Sequence, residues 1–297
     1  MFKELKEPKS FEEQLKILKE NEMVVDDDSA TIQALEQYNY YRLSGYWYQF
    51  QRKNDRFKPD TNFQTVLRLY EFDRRLRQLL FCYLEIIEIF CRTQIAYYFS
   101  HSFGKNGHYD SKNFRNAEYH QEFKDSLDSQ IDKNKDAPFV SHHICEYGGK
   151  MPLWCAVEIM PFTMLSKFYA NIRLPEQDHI AKMIGHDNSY LPNWLHCFGV
   201  LRNICAHYGR LYNRFLSPPI KLGGKTLRNY NQIDSSSLFA YIIAMLRILP
   251  EAGDANYFRD QLINLVEIFT EVIDLGLLGF PSDWKTLLYD QKLVRLS

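Results

Sequence analysis

The stretch Leu201-Arg202-Asn203-Ile204-Cys205-Ala206-His207-Tyr208-Gly209-Arg210-Leu211-Tyr212-Asn213-Arg214 holds the residue types best suited to chemistry. On a helix, Asn203, His207, Arg210 and Arg214 fall within a stripe about 60° wide, and Leu201, Ile204, Cys205, Tyr208, Leu211, Tyr212 and Phe215 fill the opposite face. Arg202 sits at the flank of the polar stripe, where a long side chain can swing toward His207. An imidazole takes or gives a proton near neutral pH, and a fixed guanidinium holds a phosphate and offsets the charge that builds on it. That combination suits a phosphodiester cleaved without metal or cofactor. His207 is the candidate acid or base, Arg202 the phosphate clamp, and Asn203 the group that orients one of them. Arg210 and Arg214 would hold neighbouring phosphates.

Spacing alone is weak support, because an Arg followed by a His after four to six residues arises by chance about once or twice in a chain of this composition. Two other pairs occur here, Arg115 with His120 and Arg173 with His179. After His120 the stripe continues with Phe123 and Lys124 instead of further Arg, and Pro175 interrupts a helix joining Arg173 to His179. Both read as coincidences.

The motif needs a helix to carry it. Pro192 suits a first helical turn and Ser217-Pro218-Pro219 a stop, which predicts a helix from about Pro192 to Leu216. Beyond it, Lys221-Leu222-Gly223-Gly224-Lys225-Thr226 reads as a flexible basic loop without the spacing of a nucleotide cradle, and Lys221, Lys225 and Arg228 are candidate RNA contacts. From Asn62 to Phe103 there is neither Pro nor Gly and apolar residues recur at helical intervals, so one very long helix, straight or kinked, ends at Gly104. Its Arg68, Arg74, Arg75 and Arg77 alternate with Glu71 and Asp73, the pattern of paired surface charges, with a basic wall as the alternative. Arg92 lies in an apolar stretch and needs a carboxylate, for which Glu85 and Glu88 are the local choices.

Elsewhere, Ser10-Phe11-Glu12-Glu13 is a capping box opening a short helix, and Asp28 or Ser29 caps a second. Ser44-Gly45 then breaks the periodicity, leaving Tyr46 to Phe50 as an aromatic turn or short strand. A polar helix is predicted near Ala117 to Lys133 and a loop from Asn134 to Gly149. An apolar helix kinked at Pro161 covers Pro152 to Asn171, and two amphipathic helices cover Ser235 to Leu249 and Ala255 to Leu275.

The formal net charge of -1 supplies no global attraction for nucleic acid, so RNA affinity must come from a local basic cleft. Six Cys without Cys-x-x-Cys spacing read as reduced, buried thiols, and no secretion signal or membrane span is legible, so a cytoplasmic protein is expected. His142, His143 and Cys145 have no second ligand cluster to complete a metal site.

The segment Arg202 to Arg214 resembles the signature of the Abi family, the abortive-infection proteins of bacteria, which belong with the HEPN superfamily of helical ribonucleases. Tyr41-Arg42-Leu43-Ser44-Gly45-Tyr46-Trp47, the segment Glu88 to Gly104 and Leu278-Gly279-Phe280-Pro281-Ser282-Asp283-Trp284 agree with it in the same order. The resemblance implies an all-α, HEPN-like helical bundle over residues 61–297 with a small helical and aromatic extension over 1–60. It implies a metal-independent endoribonuclease in phage defence, a toxin to its host, with Arg202, Asn203 and His207 as the motif residues. With Arg115-Asn116 to His120 set aside, one convincing copy of the motif implies a homodimer with a composite site. The alternative is a non-catalytic RNA-binding module of a defence or toxin-antitoxin system, holding a small noncoding RNA or answering to an antitoxin. A helical protein-interaction module is the third reading.

Overall fold

A computed structural model describes residues 5, 7–52, 55–249 and 252–294. The chain is all-α. Its helices are α1 (Phe11–Glu20), α2 (Asp28–Tyr38), α3 (Tyr40–Trp47), α4 (Phe63–Phe103), α5 (Ala117–Lys133), α6 (Pro138–Tyr147), α7 (Leu153–Ala156) and α8 (Phe162–Asn171). There follow α9 (Leu174–Ile184), α10 (Leu191–Ala206), α11 (Gly224–Asn229), α12 (Leu238–Ile248), α13 (Ala252–Ile268), α14 (Trp284–Tyr289) and α15 (Gln291–Val294). Among the described residues β pairing is limited to isolated bridges, and no helix is long and apolar enough to cross a membrane. The chain divides into two compact units, one of residues 1–77 with 262–274 and the other of 78–261 with 275–297.

In the first unit local signals start the helices. Ser10 Oγ accepts from the Glu13 amide at 3.2 Å while the Ser10 amide donates to Glu13 Oε2 at 2.8 Å, which closes the expected capping box. The cap of α2 is Asp27, not Asp28 or Ser29, with Oδ1 accepting from the Ala30 amide at 3.0 Å. Ser44-Gly45 does not break the chain: α3 runs through both, because Leu43, Tyr46 and Trp47 on one face are all buried. Only Tyr48–Phe50 forms a tighter 3₁₀ turn. Tyr46 Oη donates to Asp73 Oδ2 at 2.6 Å, and Asp73 also pairs with Arg77. Arg74 and Arg75 both hold Glu71, at 2.6 and 2.7 Å. Arg74, Arg75 and Arg77 are therefore committed to carboxylates of their own helix, as the alternating signs predict, with Arg77 buried instead of solvated, whereas Arg68 stands 3.9 Å from Glu271, outside α4.

In the second unit α12 is buried along its whole length, so it is a central helix and not an amphipathic surface one. α8 and α10 pack closely: a Cβ on Gly199 would stand 3.3 Å from Thr163 Cγ2, so glycine permits the approach. Residues 138–147, expected as loop, form α6, with Pro138 in its first turn and left-handed Gly148 as its C-cap. Pro161 does not kink a continuous helix: α7 stops at Ala156, a 3₁₀ turn covers Val157–Ile159, and Pro161, with no amide to give a preceding turn, stands at the start of α8. Cys91, Cys197 and Cys205 are buried, as expected of apolar thiols, but Cys82 and Cys145 are exposed on the outer faces of α4 and α6.

His108, completely buried, has a pH consequence. Burial pushes its imidazole down from 6.5 to about 4, so the folded chain keeps it neutral where the unfolded chain binds a proton. The unfolded state thus binds more protons between those values, and stability is lost as pH falls through that window, by about 3 kcal/mol at most. Urea unfolding of wild type and His108→Gln between pH 7 and pH 4 checks this. The wild type is expected to lose more, and parallel profiles would show that His108 contributes nothing.

Candidate functional site

The motif helix α10 begins with Pro192 in its first turn, as expected, and buries Trp194, Leu195, Phe198, Leu201 and Cys205. It ends earlier than the periodicity predicts. His207 is its C-cap, and Tyr208 takes a left-handed backbone with φ 58°. The Tyr208 amide donates to Cys205 O at 3.2 Å and the Gly209 amide to Ile204 O at 2.8 Å, the paired bonds of a Schellman stop. A Cβ at 209 would press on Ile204 Cγ2 at 3.0 Å and Ile204 O at 3.2 Å, so glycine eases the close approach of the turn.

The continuous stripe Asn203–His207–Arg210–Arg214 is therefore not a helical face; only its first two members share one turn. Of the expected packing face, Leu201, Cys205, Leu211 and Tyr212 are buried, while Tyr208 and Phe215 turn out to solvent at 70% and 79% exposure. The tertiary fold still keeps Arg214 near the motif. Its guanidinium returns over the turn, with Nη1 donating to Arg210 O at 3.4 Å and lying 3.7 Å from where a Gly209 Cβ would be. The end of α10 thus presents the exposed His207 ring, two exposed aromatic rings and Arg214 on one short reversal.

Arg202 is positioned from α4. Its Nε stands 3.5 Å from Glu88 Oε2, its guanidinium lies over the Phe81 ring at 5.5 Å from the centroid, and its side chain is 38% exposed. The physical reason is that a half-buried guanidinium seeks a carboxylate and an aromatic face, and both stand on α4. Nη1 is 3.5 Å from Asn203 Oδ1, so Asn203 borders the Arg202 head group as well as sharing a turn with His207.

Glu88, itself buried, also accepts from Arg92, as the sequence allowed. Arg92 further donates to Val157 O and, at 2.5 Å, to Met160 O, which ties α4 to the turn before α8. One carboxylate is thus shared between two guanidiniums. The cluster retains an excess positive charge beside the half-open Arg202, and an anion approaching it is favoured. The C-terminus of α10 is the negative end of the helix dipole and repels a phosphate, so any anion held there depends on these side chains.

The remaining expected contacts are spread out. The Lys221 backbone is pinned to the first turn of α10, its amide donating to Asn193 Oδ1 at 2.7 Å and its carbonyl accepting from Trp194 Nε1 at 2.6 Å. Lys221 therefore sits by Asn193, about 20 Å along the helix axis from His207. The supposed flexible loop is instead pinned here and then turns into α11, which carries the exposed Arg228; the side chain of Lys225 lies outside the described residues. His196 is exposed on α10, His120 is buried with Nε2 on His108 O, and His179 packs on Tyr98. Among the described residues no group of three or more His, Cys, Asp or Glu is arranged to hold a metal ion.

Sequence reasoning missed Phe81 and Glu88 as the seat of Arg202, and Tyr208 and Phe215 as exposed rings. For Glu88 the signal was a carboxylate one turn before Arg92. For Tyr208 it was the following Gly209, which marks a helix end.

Comparison with curated proteins and with solved structures gave no match. Comparison with protein families matches residues 33–213 to the family described as Abi-like protein. That span holds α4 and α10 with Glu88, Arg202, Asn203 and His207, and stops at Asn213, short of Arg214 and of the Leu278–Trp284 stretch. With more than half of its residues matched, including the helices that carry and seat the motif, the chain belongs to the Abi-like protein family.

Proposed function

We propose that this protein is a metal-independent endoribonuclease of the HEPN type that acts in abortive infection. The observation that carries the reading is the exposed His207 at the end of α10, five residues after an Arg202 whose guanidinium is held half-open by a carboxylate shared with Arg92. In the proposed reaction the ribose 2′-oxygen bonds to phosphorus as the bond to the 5′-oxygen breaks. His207 moves a proton at one of these oxygens, and Arg202 holds the phosphate whose charge grows in between. The products are a 2′,3′-cyclic phosphate and a 5′-hydroxyl. Tyr208 and Phe215 offer faces on which unpaired bases stack, and Arg214 reaches the next phosphate.

A second copy of the chain fits the same reading. On α4 the exposed Ile89 and Tyr97, at 56% and 54%, are apolar surface that association would cover. The test is incubation of the purified chain with single-stranded RNA in excess EDTA. Cleavage to cyclic-phosphate ends, with RNA affinity falling as salt rises, is expected. Intact RNA under every condition that gives a folded protein refutes the enzyme.

Tyr208 gives a prediction in which stability and function diverge. Its left-handed backbone favours glycine, so Tyr208→Gly is expected to stabilise the fold by about 1 kcal/mol. Loss of the ring weakens RNA binding about tenfold. Urea unfolding and filter binding on the same preparation check both; unchanged RNA affinity would remove Tyr208 from the interface.

A further inference from the structure

Away from the motif, α5 and α8 flank an open groove of about 550 Å³ whose rim residues Tyr119, Glu122, Ser126, Lys167 and Ala170 are exposed. It arises from two helical stripes that face one another, Tyr119, Glu122, Phe123, Ser126 and Gln130 on α5 and Thr163, Met164, Lys167, Phe168 and Asn171 on α8. The small residues Ser126, Thr163 and Ala170 leave volume that larger side chains would fill. Buried Phe114, Phe123 and Phe168 line one side, their rings 5.0 to 6.3 Å apart. The volume lies in the range of small-molecule sites, and the aromatic lining with a few polar groups matches their composition.

Two opposite charges stand on the two walls. Glu122 belongs to α5 and Lys167 to α8, and among the described residues neither has an ion-pair partner, in each other or elsewhere. An aromatic lining flanked by an unpaired carboxylate and an unpaired ammonium is complementary to a ring that carries an ammonium and a carboxylate of its own.

We propose that the α5–α8 groove binds a small zwitterionic aromatic molecule of the amino-acid type, its ring against Phe114, Phe123 and Phe168, its carboxylate toward Lys167 and its amine toward Glu122. The inference does not depend on RNA cleavage. Its interest for the motif is that Thr163, which lines the groove, also packs on Gly199 of α10.

Calorimetric titration of the full chain with tryptophan, tryptamine and indole-3-propionate tests it. Saturable binding is expected, tightest for tryptophan. Ser126→Trp and, independently, Ala170→Trp fill the groove and are expected to abolish binding; both positions are exposed, so at least one variant should fold. Lys167→Ala is expected to weaken tryptophan about threefold and leave tryptamine unchanged, while Glu122→Gln weakens tryptophan similarly and spares indole-3-propionate. The proposal is overturned if none of the three probes binds, if binding persists in a folded groove-filling variant, or if the two charge variants do not discriminate among the probes.

Discussion

His207→Ala is expected to lower RNA cleavage by a factor of about 10² to 10⁴, the usual contribution of a general acid or base, while leaving the fold intact. The fold stays intact because of the geometry. The ring is exposed at a helix end, the α10 stop is made by backbone bonds of residues 203–209, and a substitution at such a surface position changes stability by about 0.5 kcal/mol or less. RNA binding should survive, since Arg202, Arg214 and the exposed rings remain. Single-turnover cleavage, filter binding and urea unfolding on one preparation separate the outcomes. Cleavage that persists in His207→Ala would show that the imidazole has no part in the reaction. If wild type and variant bind RNA equally and neither cuts it, the chain is a binding module.

Glu88 carries the second large effect. It is buried and serves Arg92 and Arg202 together, so Glu88→Ala leaves the Arg92 charge in a poorly solvated place and is expected to cost about 3 to 5 kcal/mol. Loss of cleavage in that variant would be ambiguous, because a destabilised chain loses activity for many reasons. The informative protein is the double variant Glu88→Leu with Arg92→Met, which removes the buried charges in a pair and should recover most of the stability. Arg202 still lacks its carboxylate there, so cleavage is expected to stay low. A double variant that is stable and cleaves like wild type would show that Glu88 does not position Arg202.

The sequence was most legible where one segment decides its own conformation. The capping box at Ser10 and the Pro- and Gly-free run closed by left-handed Gly104 need only neighbouring residues, and both occur as read. Reading failed where a local preference met a tertiary demand. Ser44-Gly45 looks like a break, yet burial of Leu43, Tyr46 and Trp47 holds α3 together. The helical spacing of Leu201 to Phe215 continues past the point where the backbone turns, because periodicity reports side-chain type and is blind to the sign of φ at Tyr208.

The sequence by itself determined that the chain is helical, that the Arg-Asn-x-x-x-His segment Arg202 to His207 lies on a helix begun by Pro192, and which family it belongs to. These depend on hydrophobic spacing, end signals and residue identity, all of which are local. Tertiary structure alone decided that Arg202 rests on Phe81 and Glu88, that Arg214 folds back over Gly209, and that Tyr208 and Phe215 face solvent while α12 is buried. The physical reason is that a buried or half-buried charge takes whichever carboxylate the packing of distant helices brings to it, and no spacing within one segment encodes that choice.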